Sequence, residues 1–319
     1  MNIFIFYFIF LLIIMLLILI NSNSIKNNTS DLKKIRLKSE EELNVSEKNH
    51  TLKFEKFQPQ YQITTIITTS PILCMKNINI ISETIDSLFI NPILVNNHVI
   101  ICFDGGPLDP NNIIDEKCAN LGNEINIYEY ETYKNKVKAY ALTLLPYVSF
   151  SELLFRGCLT NNIHNSFHMI KTEYINIMQH DLPIIKSFDI ESIIKIMEHD
   201  KLVKLVRYVY DTNNFHNEYT KNFIKYDPKK YKALLPMQKK IYGDVILTIC
   251  SQWSDQNHIT SKKYYEDVVF PVTLLKGSFM EHFMFCLPIE DHKKYGTWFL
   301  GEIYDGYYIK NTDGRNNIC

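Results

Sequence analysis

The chain opens on an unbroken apolar run and then changes texture. Ile3 to Ile20 is eighteen successive apolar residues without a charge. A helix of that length is about 27 Å long, close to a bilayer core, so the run predicts a transmembrane anchor. The rival reading is a cleaved signal, with Ser22-Asn23-Ser24 as a small-x-small site. The length of the run and the lack of Lys or Arg before it favour the anchor. Residues 25–58 are rich in Asn, Ser, Lys and Glu, the composition of a solvated stem.

Beyond residue 58 the pattern alternates between strand-like and helix-like periods. Tyr61 to Thr69 is β-branched almost throughout and stops at Ser70-Pro71, which predicts a buried strand. Apolar positions near helical spacing predict a helix over Asn79 to Phe89, and Asn97 to Phe103 predicts the next strand, ended by Asp104-Gly105-Gly106-Pro107. Strand, helix and strand within about forty-five residues form a βαβ unit, the building block of a parallel sheet. Glu124 to Tyr130 predicts a short strand. Ser149 with Glu152 fits a capping box, which predicts a helix from there to Asn161. Tyr174 to Met178 is a strand delivering Gln179-His180-Asp181 to its tip, followed by a helix over Phe188 to His199 and a strand over Leu202 to Tyr210. Near the C-terminus, Lys294 to Gly301 and Tyr304 to Ile309 predict a strand pair with an Asp-Gly turn.

Composition narrows the class. With 319 residues, 46% hydrophobic and 13% aromatic, the chain has ample material for a packed core. A net charge of -1 and scattered Lys and Arg leave no electrostatic footprint for nucleic acid. Seven cysteines without a Cys-x-x-Cys pair argue against a zinc knuckle or a dense disulfide framework, and Cys74 and Cys102 read as small core residues. Topology signals conflict. Lys26, Lys33, Lys34, Arg36 and Lys38 follow the apolar run, which would keep the body cytosolic, while the acceptors Asn27, Asn28, Asn44 and Asn49 suit a glycosylated, lumenal stem.

In open α/β sheets, ligands bind beyond the carboxyl ends of the strands. There the sequence places Asp104, beside two glycines that allow a sharp turn, with a carboxylate able to accept from a ribose or base. It also places His180 and Asp181, a pair able to bind a metal. The order of motifs, strand-Thr-Ser-Pro, helix, strand-Asp-Gly-Gly-Pro and later strand-Gln-His-Asp, resembles the nucleotide-sugar half of a family 2 glycosyltransferase with the GT-A fold, over roughly residues 61–210. The resemblance implies a mostly parallel, Rossmann-like α/β sheet flanked by helices, and inverting transfer of a hexosyl-type sugar from a nucleotide-sugar donor to a glycan, protein or lipid hydroxyl. It implies that Thr68, Ser70, Pro71 and Asp104 hold the nucleotide, and that Asp181 takes the place of the last acid of an Asp-x-Asp motif for Mn²⁺ or Mg²⁺. His180 supplies a neutral ligand, and Gln179 stands where the first acid is expected.

A domain division follows: 1–24 anchor, 25–58 stem, 59–225 nucleotide-sugar domain and 226–319 acceptor side. In the last part Trp253 and His258, within a polar patch from Ser251, suit sugar stacking and hydroxyl binding. Asp255 and Glu281 are the carboxylates available as general base, and Arg315 can clamp a diphosphate. Transfer chemistry leads to a lumenal, membrane-tethered placement of the endoplasmic reticulum or Golgi type. Two other readings stay open: a metal-dependent phosphohydrolase built on the pairs His180-Asp181 and His199-Asp200, and a tethered, inactive carbohydrate-binding protein, prompted by Gln179.

Overall fold

Every side chain of the strand Ile63–Thr69 is buried, which a period-2 strand achieves only when both faces of its sheet are covered. The computed structural model describes residues 63–71, 77–106, 126–209, 239–274, 280–302 and 306–312. The expected anchor, stem, glycosylation acceptors and Arg315, and the 225/226 boundary, lie outside the described residues. All of the described residues belong to one compact unit, Pro59–Cys319. Among them no helix is long and apolar enough to cross a membrane.

Nine strands form one sheet: β1 (Ile63–Thr69), β2 (His98–Phe103), β3 (Val148–Glu152), β4 (Tyr174–Gln179), β5 (Leu205–Arg207), β6 (Lys239–Tyr242), β7 (Val245–Ile249), β8 (His258–Ser261) and β9 (Thr297–Leu300), in the order β3-β2-β1-β4-β8-β5-β9-β7-β6. The first four run parallel. β8 then enters antiparallel between β4 and β5, and only β5 and β9 pair in parallel beyond it. The sheet is therefore mixed rather than mostly parallel. The C-terminal strands β6 to β9 belong to the same sheet.

Helices cover both faces. α1 (Asn79–Ser87), α2 (Ile127–Leu144) and α4 (Ile190–His199) pack through Ile81, Ile85, Tyr130, Val137, Ile193 and Met197 against Ile63, Ile67, Val99 and Met178. On the other face α3 (Cys158–Ser166) brings Ile163 to Ile66, Ile100, Ile175 and Ile177, the residues that alternate with the first set. This alternation is why both strands read as continuous apolar runs.

Three expected elements differ. The stretch from Glu124 alternates over Glu124-Ile125-Asn126-Ile127, but the buried positions Tyr130, Tyr133, Val137 and Ala141 follow a helical period. Asn126 caps the helix by accepting from the N–H groups of Tyr128 and Glu129. Ser149 and Glu152 belong to strand β3, not to a capping box: Ser149 Oγ bonds His98 Nε2 across the sheet at 2.9 Å, and Glu152 pairs with Lys134 and Lys138. Near the C-terminus Thr297–Leu300 is the one strand among the described residues, Tyr304 and Asp305 of the expected partner lie outside them, and Ile309 bridges to Ile184.

The closest backbone approach lies where the turn after β2 meets the loop after β3. A Cβ added at Gly105 would sit 2.0 Å from the carbonyl carbon of Phe155. Gly105→Ala is expected to force the two loops apart and lower stability by roughly 2–3 kcal/mol, read as a shift of the denaturant midpoint at unchanged slope. A midpoint equal to that of wild type would show that the contact is unimportant.

Candidate active site

Because β1, β2 and β4 are parallel, Thr69, Phe103 and Gln179 end on one edge of the sheet. β8 is antiparallel and begins at that edge, with His258 opposite Ile177. Arg207 ends β5 there as well, opposite His258. Topology alone therefore gathers Ser70, Asp104, Gln179-His180-Asp181, Arg207 and the segment 251–257 on one rim.

Asp104 is buried and its Oδ1 accepts from the N–H groups of Gly105 (2.9 Å) and Gly157 (2.8 Å). Burial pushes its carboxyl up to about 6, against those two bonds, a third from the N–H of Cys158, and the nearby Arg156 guanidinium. Cys158 holds a positive φ of 55°, and it is disulfide-bonded. Asp104 is thus the knot between the β2 turn and the 153–158 loop. Among the expected nucleotide contacts near it, Thr68 is buried, with Oγ1 donating to the Met178 carbonyl (3.2 Å), Ser70 is half-buried and Pro71 is buried. Asn162 Nδ2 holds the carbonyls of Thr69 (3.4 Å) and Cys102 (3.0 Å), fixing the ends of β1 and β2 together.

The tip of β4 is fastened through its backbone. His180 N–H donates to the Thr68 carbonyl (3.0 Å), the His180 carbonyl accepts from Thr84 Oγ1 (2.6 Å), and the Asp181 carbonyl accepts from Thr312 N–H (2.9 Å) and Oγ1 (3.1 Å). The side chains remain available. His180 Nε2 and Asp181 Oδ1 are both buried without a hydrogen-bond partner among the described residues. Further buried side-chain atoms are likewise unpaired among the described residues, but a nitrogen and a carboxylate oxygen on adjacent residues are the donor types that a divalent cation takes. No group of three or more His, Cys, Asp or Glu suited to a metal occurs among the described residues, so such an ion would take its remaining ligands from elsewhere, as phosphate-bound Mg²⁺ and Mn²⁺ do.

Asp255 and Glu281 are brought together. Asp255 lies on the loop before β8 and Glu281 on α5 (Met280–Met284), whose end is fixed to that loop by Trp253 N–H donating to the Phe285 carbonyl (3.1 Å). Burial first, then the Glu281 carboxylate, push the Asp255 carboxyl up to about 7, opposed by Arg207 and by a bond from Gln179. The same loop is tied to β4: Asn257 Oδ1 accepts from Gln179 N–H (2.9 Å), Asn257 Nδ2 donates to the Leu182 carbonyl (2.6 Å), and Gln179 Nε2 donates to the Asp255 carbonyl (3.1 Å).

Trp253 and His258 do not serve as expected. Trp253 is 0% exposed and packs in the second core cluster, leaving no ring face for a sugar. His258 is equally buried. Its Nδ1–H donates to the Gln256 carbonyl (2.5 Å), so Nε2 accepts from Tyr265 Oη (3.0 Å), and burial lowers its pKa to about 4, keeping it neutral. Both have core roles because the loop between β7 and β8 folds inward. His199-Asp200 precedes the amino end of β5, the opposite edge from His180-Asp181, and Asp200 is engaged by Lys240, Tyr242 and the Leu202 N–H. The two His-Asp pairs therefore do not form one metal site.

Two residues escaped the sequence reading. Arg207 is buried, lies on the Phe299 ring 4.9 Å from its centroid, and donates to Cys250 Sγ (3.3 Å), the Gln252 carbonyl (3.4 Å) and Gln256 Oε1 (2.6 Å). A lone arginine inside the apolar run Leu205-Val206-Arg207-Tyr208-Val209 was the available signal, since such a charge is buried only with partners. Asn257 carried no comparable signal.

No protein-family model matches the chain, and no curated protein matches it. Solved structures similar to it include the mannosyltransferase PcManGT from Pyrobaculum calidifontis in complex with GDP-Man and Mn²⁺, at 12% identity and a TM-score of 0.39, covering 66% of this chain and 47% of the other. Glucosyl-3-phosphoglycerate synthase from Mycobacterium tuberculosis, in complex with Mn²⁺, UDP and glucosyl-3-phosphoglycerate, is similar at 9% identity and a TM-score of 0.37, covering 64% and 58%. TarS of S. aureus is similar at 11% identity and a TM-score of 0.39, covering 79% and 36%. The chain thus spans less than two thirds of the length of each.

Proposed function

We propose that the chain is a glycosyltransferase that moves a sugar from a nucleotide-sugar donor to a hydroxyl acceptor by direct, inverting displacement. One observation carries the reading. The carboxyl end of β4 presents two orphaned, metal-type ligands in His180 and Asp181, and through Gln179 it adjoins a carboxyl raised to about 7 in Asp255. A base with a pKa near the working pH is suited to take a proton from a hydroxyl.

In this reading Asp255 removes the acceptor proton as the acceptor oxygen attacks the anomeric carbon, and the bond from that carbon to the diphosphate oxygen breaks on the opposite face. The electron pair leaves with the nucleoside diphosphate, and the proton ends on Asp255. Glu281 keeps the Asp255 carboxyl basic. His180 and Asp181 would hold Mn²⁺ or Mg²⁺, which when bound neutralises charge on the departing diphosphate. Ser70 and Asp104 border the nucleotide side. The Cys158 disulfide fits an oxidising compartment, which supports a lumenal placement behind the N-terminal apolar run.

A donor screen with the full chain, detecting released nucleoside diphosphate with and without Mn²⁺, tests the reading. Asp181→Ala is expected to lower transfer about 100-fold at unchanged fold and to weaken metal dependence. Wild-type turnover in that variant would remove Asp181 from the site.

The carboxyl of Asp255 adds a pH signature. Its proton must be absent for catalysis, so kcat/KM is expected to fall as pH drops below about 7. Glu281→Gln removes the neighbouring negative charge and moves that acid limb to lower pH; an unmoved limb would separate the two carboxylates.

Stability runs the other way. The folded carboxyl binds its proton more tightly than the unfolded one, whose pKa is near 3.8, so its contribution to stability is lost as pH rises through about 7. Asp255→Asn is expected to lose transfer by a factor of roughly 10²–10⁴. It is also expected to melt above wild type at pH 8, by a margin that shrinks at pH 5. An Asn variant less stable than wild type at pH 8 would contradict the raised carboxyl.

A further inference from the structure

Gln179 occupies the position where the resemblance expects a metal-binding acid, and its contacts assign it a different task. Its side chain approaches the carbonyl oxygen of Asp255 at 3.1 Å. A carbonyl only accepts, so the atom facing it is the amide nitrogen, and the side chain is committed as a donor. Its main-chain N–H donates at 2.9 Å to Asn257 Oδ1. Residue 179 therefore grips the 255–257 segment twice, once through the backbone and once through the side chain. The segment has few other ties to β4: Asn257 Nδ2 reaches the Leu182 carbonyl at 2.6 Å, and β8 begins only at His258. A carboxylate at 179 would turn a lone pair toward the Asp255 carbonyl and place a third negative group beside Asp255 and Glu281. The neutral amide makes the link without either penalty.

We propose that Gln179 is a positioning residue that fastens the base-bearing segment to the strand carrying His180 and Asp181, and that it takes no part in binding the metal. The proposal deepens the transferase reading and rests on it for its kinetic consequences. It also explains why an acid can be missing from this position without loss of the site: the position serves the acceptor half, and the ion relies on the two residues that follow.

The test uses the full chain with Gln179→Met, which keeps the length and removes the donor, and Gln179→Glu, which restores the acid. Gln179→Met is expected to lower kcat about 10- to 100-fold while the donor KM and the Mn²⁺ concentration for half-activation stay within about twofold of wild type. Gln179→Glu is expected to lose turnover without needing less Mn²⁺. A rise in the Mn²⁺ requirement of Gln179→Met in step with its loss of kcat, or a lowered requirement with retained turnover in Gln179→Glu, would overturn the proposal and make residue 179 a ligand.

Hydrogen exchange separates this proposal from the transferase reading. If wild type transfers no sugar from any donor, the transferase reading fails, but the link can still be measured. Faster exchange confined to the amides of residues 251–257 in Gln179→Met supports it, and unchanged exchange there overturns it. If Gln179→Met does not fold, Gln179→Asn, whose amide is one methylene short, gives the same readout.

Discussion

The site depends on one side-chain amide. Asn257 is fully buried, and its two ends do opposite work: the oxygen accepts from the Gln179 N–H and the nitrogen donates to the Leu182 carbonyl. Those two backbone groups flank the turn that carries His180 and Asp181. The turn departs from the sheet, so its polar groups have no ladder to join, and a buried group left unpaired costs about 1–3 kcal/mol. One asparagine satisfies a donor and an acceptor, and in doing so holds the Asp255 loop against the metal-type ligands. Only a residue with both a donor and an acceptor on a short, rigid arm can do this. The rest of the arrangement follows from topology. Antiparallel entry of β8 between β4 and β5 places the loop before β8 on the same rim as the ends of the parallel strands.

How much of this was legible in the sequence depended on the range of the interaction. β1, β2 and β4 were readable because burial on both faces writes itself into a single stretch of β-branched residues. The helix from Ile127 was misread because its first residues alternate, and only the spacing from Tyr130 to Ala141 shows the longer period. Ser149 and Glu152 matched a local cap rule, but their partners His98, Lys134 and Lys138 come from other elements.

The same division runs through the site. Asp181, Asp255 and Glu281 stood out as acids in apolar or polar-dense settings, and the structure places Asp255 beside Glu281. Trp253 and His258 stood out for composition alone, and composition does not say which way a loop folds; both are interior. Asn257 and Arg207 act through carbonyls and amides far along the chain, and no local pattern announces such partners.

Charge balance explains why the rim tolerates so many acids. Like charges in a poorly hydrated setting repel, and the Glu281 carboxylate disfavours ionisation of the Asp255 carboxyl. Arg207 supplies a fixed positive charge toward Asp255, and it is held against movement by Phe299, Cys250, Gln252 and Gln256. Lysine would not substitute, because three acceptors in different directions and a stacked ring call for the planar guanidinium fork. One buried cation does not fully offset the pair, so the Asp255 carboxyl remains raised. A further acid at 179 would exceed what Arg207 can compensate. The neutral amide found there adds no charge to that balance while still donating to the Asp255 carbonyl.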